Sequence, residues 1–485
     1  MIFCGLDVGT QGARCLLVSG TGEVLGRGER GFEEAAAPGL PDGWFEQDPA
    51  HWIGALNAAL REAVQELTAA GHDVSDLAAL SVTSTSGTLC PVSAEGEPLG
   101  RAIMYNDSRS SDEATAVQKA GGAVADVLGY RFGASFGLPK ILWLKRHQKG
   151  LFTRARWLIS PTDYVIGWLT GRWGRTDQTN ALKFGYDLLE GRWPDYIQGV
   201  LRLRMGRFPM VQMTGQQVGG LRTDRASELG LPPGIPVAAG LTDGCASQIS
   251  SGAVAPGEFN TTIGTTLVIK GVTERLIVDP QGRLYCHRHP EGWWLPGGAS
   301  NTGAECLSRQ FSEEEVEALS ADALSVSPTG LVIYPLVGRG ERYPFRCEHA
   351  TAFMLGRASG TAAFFTGCLE GVACLERLAF EMLDELGAEV GDRIYSAGGG
   401  SKSDAWLQIR ADTLGRTVVR PAVTGGAMGA AIVAASMVQE GTLTGAARRM
   451  VRIEREVLPR ADMCGAYEAK YQQFKDECRR REYIE

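Results

Sequence analysis

The chain has 485 residues, too many for a single hydrophobic core, so two domains are expected. Hydrophobic residues make up 44% and charged residues 21%, an ordinary balance for a soluble globular protein. The formal net charge of −8 argues against nucleic acid as a partner, because a phosphate backbone needs a basic face; no apolar run is long enough to cross a bilayer, and no basic segment precedes one at the N-terminus.

The first element is a hairpin. Ile2-Phe3-Cys4-Gly5-Leu6-Asp7-Val8 leads into Gly9-Thr10-Gln11-Gly12, and Cys15-Leu16-Leu17-Val18 leads out. A third strand follows at residues 24–26. Asp48-Pro49 starts a helix, with the aspartate as N-cap and the proline at the first helical position; Trp52, Leu56, Leu60, Val64 and Leu67 form its apolar stripe. Residues 77–82 read as a buried strand ending in the hydroxyl-rich Thr83-Ser84-Thr85-Ser86-Gly87-Thr88, and residues 103–105 as another strand end before Asn106-Asp107-Ser108-Arg109. A helix starts at Pro161-Thr162-Asp163 and stops at Gly171, and Thr176-Asp177-Gln178-Thr179-Asn180 is a polar turn. Pro232-Pro233-Gly234-Ile235-Pro236 punctuates the chain, which predicts domains of residues 1–238 and 239–485.

The second half repeats the opening theme. Residues 237–242 form an apolar run ending in Asp243-Gly244, and Ile263-Gly264-Thr265-Thr266 is again a Gly-Thr turn between β-rich stretches. A strand at residues 394–397 enters Gly398-Gly399-Gly400-Ser401, and Gly425-Gly426-Ala427-Met428-Gly429 opens a helix of small residues that allows close backbone or ligand approach. Tyr467, Tyr471 and Phe474 are the core stripe of a last helix. The eleven cysteines form no C-x-x-C pair and fit a reduced, cytoplasmic protein; His287 and His289 read as loop residues.

Two chemistries fit the opening turn. It is either a plain polar hairpin tip or a nest of backbone N–H groups for phosphate, with Asp7 serving a magnesium ion. Its echo at Gly264-Thr265 favours the second, and a duplicated βββαβα domain with phosphate loops in both halves accounts for both turns.

Taken together these segments resemble the FGGY family of carbohydrate kinases, within the actin/Hsp70/hexokinase superfamily. The resemblance rests on Gly5-Leu6-Asp7-Val8-Gly9-Thr10, Gly240-Leu241-Thr242-Asp243-Gly244, Ile263-Gly264-Thr265-Thr266, Gly340-Glu341-Arg342-Tyr343-Pro344, the segment from Phe365 to Ala373, and Gly398-Gly399-Gly400-Ser401. It implies an α/β, duplicated actin-like (ribonuclease H-like) ATPase fold, with two domains and a central cleft. The N-terminal domain would bind sugar and the C-terminal domain nucleotide. The expected activity is ATP- and Mg²⁺-dependent phosphorylation of a ketopentose. Asp243 is the expected general base and a sugar contact, and Asp7 the expected metal partner. Gly9, Thr10, Gly264 and Thr265 would contact phosphates, and Gly399, Gly400 and Ser401 adenosine. Ser86 and Asp107 would bond sugar hydroxyls, with Trp44 covering an apolar sugar face. The Gln-Met-His-Gly element of xylulokinases is replaced by Thr85-Ser86-Gly87-Thr88, and with Tyr105-Asn106-Asp107-Ser108-Arg109 and the segment 176–187 this is closer to the D-ribulose kinase branch. D-ribulose is therefore the expected substrate, with D-xylulose as alternative; glycerol, another polyol or a non-catalytic actin-like ATPase is more distant. The expected partner is a small sugar, with no nucleic acid or membrane; a homodimer is left open.

Overall fold

The computed structural model describes residues 1–485, the side chain of Glu440 aside, and divides them into two compact units. The first comprises Met1–Ser250, His287–Gly292 and Gly425–Val451; the second comprises Ser251–Cys286, Trp293–Thr424 and Arg452–Glu485. The boundary expected at 238/239 is therefore corrected. Residues 239–250 stay with the first unit because the strand Leu241–Thr242 pairs with that unit's central sheet, and residues 425–451 return to it.

In the first unit the elements are β1 (Ile2–Val8), β2 (Gly12–Ser19), β3 (Val24–Gly31), α1 (Pro49–Ala69), β4 (Leu77–Ser84), α2 (Pro161–Thr170), β5 (Gln217–Gly220), β6 (Pro236–Ala238), β7 (Leu241–Thr242) and α3 (Asp243–Ser251). The sheet order is β5-β6-β4-β1-β2-β3, with β7 also on β4. β1 and β2, β2 and β3, and β5 and β6 pair antiparallel; β4 runs parallel to β1, β6 and β7. All of β1 is buried, as a central strand of continuous apolar sequence should be. The cap expected at Asp48 forms, its carboxylate accepting from the Ala50 amide at 2.9 Å; on α2, Ser160 and Asp163 close a capping box. Residues 176–180 are not simply a turn; a short strand, Arg175–Asp177, enters one helical turn that Asp177 caps from both the Thr179 and Asn180 amides.

The second unit contains β8 (Phe259–Ile263), β9 (Leu267–Gly271), β10 (Trp294–Ala299), α4 (Thr361–Glu385), β11 (Arg393–Ala397), α5 (Asp404–Leu414), β12 (Thr417–Pro421) and β13 (Ile453–Val457). Its sheet runs from an edge strand, Leu284–Arg288, through β10-β9-β8-β11-β12-β13. β8 and β9, β9 and β10, and β12 and β13 are antiparallel, while β8, β11 and β12 are parallel. The two units thus repeat one topology, as the paired Gly-Thr turns predict. Tyr467, Tyr471 and Phe474 are fully buried in the last helix. Ten of the cysteines are buried and all are free thiols. His287 is not in a loop: it lies in a strand, Leu284–Arg288, and both it and His289 are buried.

Candidate functional site

Three parallel strands of the first unit end together. Asp7 of β1 stands opposite Thr83 of β4, and Thr242 of β7 stands opposite Ser84. The register therefore puts Asp7, the Thr85-Ser86 segment and Asp243 at one sheet edge, the carboxyl ends where α/β folds collect ligands. Asp243 begins α3, and its Oδ1 accepts from the Gly244 amide at 2.7 Å. Asp7 is 7% exposed, and its Oδ1 is a buried oxygen with no hydrogen-bond partner. Burial, reinforced by the negative charge of Asp243, pushes its carboxyl up to about 7; Arg14, 3.8 Å away, acts in the other direction. Gly9 and Thr10 form the turn between β1 and β2, closed by the Gly9 amide on Gly12 O at 2.9 Å. Thr10 is held from two sides, by Tyr105 Oη at 3.3 Å from its hydroxyl and by Gln47 Nε2 donating to its carbonyl at 2.7 Å.

The helix of small residues, Gly426–Ala435, explains part of this burial. A Cβ on Gly426 would lie 2.6 Å from the Asp7 carboxyl carbon, and one on Gly5 would lie 1.8 Å from Ala427 O. What the small side chains admit here is backbone and a carboxylate.

Ser86 and Asp107 have different fates. The Ser86 hydroxyl is buried without a partner. Beside it, Lys183 Nζ lies 3.5 Å from Ser86 O. Gly87, at φ +88°, makes this approach possible, since a Cβ there would meet Ser135 O at 2.2 Å and Lys183 Cδ at 2.9 Å. Burial lowers the Lys183 ammonium's pKa, while Asp243 and Tyr105 raise it, so lysine and catalytic candidate share one electrostatic neighbourhood. Asp107 is corrected as a sugar contact. Its side chain is fully buried and its oxygens are taken: Oδ1 accepts the Arg109 amide at 2.9 Å, and Oδ2 accepts the Phe45 amide and Arg109 Nη2, both at 2.7 Å. Arg109 also bonds Glu46 at 2.7 Å and lies over the Trp44 ring at 3.7 Å, so Trp44 covers a guanidinium.

In the second unit the corresponding strand ends carry Thr262 and Ala397 where the first carries Asp7 and Thr83. Thr262 of β8 stands opposite Ala397 of β11, which places the Gly264-Thr265 turn beside the Gly398–Ser401 loop. Gly398, at φ +82°, packs so closely that a Cβ would lie 2.5 Å from Ile263 O, and Ser401 Oγ closes the loop on Gly398 O at 2.7 Å. Gly400 packs on the Ile263 side chain, while the space about Gly264 and Gly399 is open. The Ala304 amide bonds Gly264 O at 2.8 Å, and Gly303 lies where a Cβ would meet Thr265 O at 2.6 Å.

Two contributors escaped the sequence reading. Lys183 had a signal: a lysine set within the buried run Ala181-Leu182-Phe184. Gly303 had none, because its role depends on packing against a distant turn.

The N-terminal domain of the FGGY family of carbohydrate kinases matches residues 2–250, and its C-terminal domain matches residues 259–438. A xylulose kinase of Escherichia coli (strain K12) is 25% identical over 488 residues, covering 98% of both chains; one of Streptomyces rubiginosus is 28% identical over 455 residues, covering 92% of this chain and 90% of its own. The crystal structure of xylulose kinase from Rhodospirillum rubrum superposes with a TM-score of 0.86 at 26% identity, covering 99% of this chain and 98% of that one. Plasmodium falciparum glycerol kinase with ADP shares the fold, with a TM-score of 0.85 at 17% identity and 98% coverage of each chain. With strand-end aspartates in one unit, glycine-rich turns in both, and both family domains matched in order, the chain belongs to the FGGY family of carbohydrate kinases, phosphotransferases that act on sugars.

Proposed function

We propose that the protein transfers the γ-phosphoryl group of ATP to a ketopentose. The observation that carries this reading is the meeting of Asp7, Asp243, Ser86 and Lys183 at one sheet edge of the first unit. Phosphoryl transfer needs an acceptor hydroxyl positioned beside a base and charge neutralised around the phosphate. Asp243 is the base that takes the hydroxyl proton. Ser86 Oγ and the Lys183 ammonium bind the sugar's oxygens. Gly9, Thr10, Gly264 and Thr265 contact the phosphates, and Gly399, Gly400 and Ser401 line the adenosine. The partnerless Asp7 Oδ1 suits a hydrated Mg²⁺, whose positive charge would offset that of the phosphates. Asp107 and Arg109 support the acceptor side from behind.

D-xylulose is the first substrate reading, supported by the named function of the relatives. D-ribulose is the second, favoured by Ser86 standing where xylulokinases carry histidine; the two sugars differ in one hydroxyl's direction, and an unpaired buried hydroxyl costs about 1–3 kcal/mol. The test is kcat/KM for D-xylulose, D-ribulose, L-ribulose and glycerol. A preference for either D-ketopentose supports the class and chooses the sugar; a preference for glycerol overturns it.

A further inference from the structure

Beneath the two loops of the second unit lies an ion pair that packing alone does not require. Arg410 of α5 and Glu376 of α4 are both fully buried. The guanidinium forks onto the carboxylate, Nε to Oε2 at 2.7 Å and Nη2 to Oε1 at 2.8 Å. Each charge also takes one hydroxyl. Thr261 Oγ1 donates to Glu376 Oε1 at 2.6 Å, and Arg410 Nη1 donates to Ser396 Oγ. Those hydroxyls belong to the strands that lead into the loops: Thr261 on β8 precedes Gly264-Thr265, and Ser396 on β11 precedes Gly398–Ser401. In the parallel register Thr261 and Ser396 are direct partners.

Burying two charges is costly, and apolar side chains of similar volume would join α4 to α5 as well or better. What such side chains cannot do is hold two hydroxyls at fixed points on neighbouring strands. The fork of Arg410 has a rigid, planar geometry, so it ties the two strands in a defined relation just before each opens into its loop.

We infer that Glu376 and Arg410 are positioning residues for the nucleotide: acting through Thr261 and Ser396, they set the spacing between the phosphate turn and the adenosine loop. This rests on the reading that the second unit binds ATP. Neither side chain reaches a ligand, since both are sealed in the core. Their effect therefore belongs to nucleotide affinity rather than to sugar recognition, and small displacements of a binding loop are enough to produce it.

Three variants test this. Thr261→Val keeps the volume and removes the hydroxyl; Thr261→Ser keeps the hydroxyl. Glu376→Leu combined with Arg410→Met removes both charges together, so neither is left buried alone. We expect Thr261→Val and the double variant to raise the KM for ATP, and the Kd for ADP measured calorimetrically without sugar, by roughly fivefold or more, the worth of a lost buried hydrogen bond. Thr261→Ser should match the wild type, and sugar KM should stay within about twofold in all three. Unchanged nucleotide constants in both altered proteins, or nucleotide and sugar constants rising in parallel, overturn the assignment. Wild-type protein that binds no ADP overturns the nucleotide reading and this inference with it, whereas variants that bind ADP as tightly as a binding-competent wild type overturn only the positioning role.

Discussion

The two units use one strand order for two kinds of sheet edge. In the first, the strand before the Gly-Thr turn ends Asp7-Val8-Gly9-Thr10; in the second it ends Thr262-Ile263-Gly264-Thr265. The position that holds a carboxylate in one holds a hydroxyl in the other. The next parallel strand leads to Ser86 beside Lys183 in the first unit, and to Gly398-Gly399-Gly400-Ser401 in the second. The strand ends are also tied differently. Hydroxyls do it in the first, with Thr83 Oγ1 on Leu241 O at 2.9 Å and Ser84 on Thr162 at 2.6 Å, whereas a buried ion pair does it in the second. A duplicated scaffold thus carries aspartates and a lysine at the strand ends of one copy, and hydroxyls and glycine backbone at those of the other; under the proposed function the first serves proton transfer and sugar binding, the second phosphate and a flat base.

If that division of labour holds, substitutions in the two units should separate kinetically. Asp243→Asn keeps the shape and removes the base, so turnover should fall by roughly two to four orders of magnitude while ADP still binds. Near-full turnover at saturating sugar would leave the first unit without its chemistry. Lys183→Met should cost about ten- to a hundredfold in kcat/KM for the ketose, the worth of a hydrogen bond to a charged group, and leave the ATP KM unchanged. An ATP effect from Lys183 would blur the contrast. Thr265→Val, in the second unit, should raise the ATP KM by about three- to tenfold without altering which sugar is preferred; a changed sugar ranking would place that turn on the wrong ligand.

A last prediction concerns stability rather than rate. Burial, with the charge of Asp177 nearby, raises Asp163 to about 8. Its folded value lies above its unfolded one, so the native state keeps a proton that the unfolded chain has lost. The contribution is complete below about pH 4 and is lost as pH rises towards 8, by at most about 1.4 kcal/mol per pH unit. Asp163→Asn should flatten that decline, as read from urea midpoints at about pH 5 and about pH 8. An unchanged slope would show that Asp163 is not the titrating group.

Much of this was legible before any coordinates. Gly-Thr turns identify strand ends because they interrupt runs of apolar, β-rich sequence, and Asp48-Pro49 marks a helix start by local chemistry alone. Asp107 misled because an aspartate near an arginine has the same local sequence whether it faces a ligand or that arginine; the buried bidentate pair, under Trp44, decides it. The domain boundary misled for a related reason. Pro232-Pro233-Gly234 does break the chain, but β6 and β7 pair with β4 immediately afterwards, and pairing over long sequence separation leaves no local mark.

That boundary has a consequence for the order in which the molecule can be made. The helix Gly426–Ala435, whose glycines and alanines let it lie against β1 and the Asp7 carboxylate, is encoded after most of the second unit. A ribosome that has delivered residues 1–250 has released every strand of the first sheet but not the cover for its central one. During synthesis the first unit therefore waits with an apolar strand uncapped while the second is translated. A fragment cut at residue 250 would remain in that state, and exchanging whole units between relatives would require five crossovers rather than one.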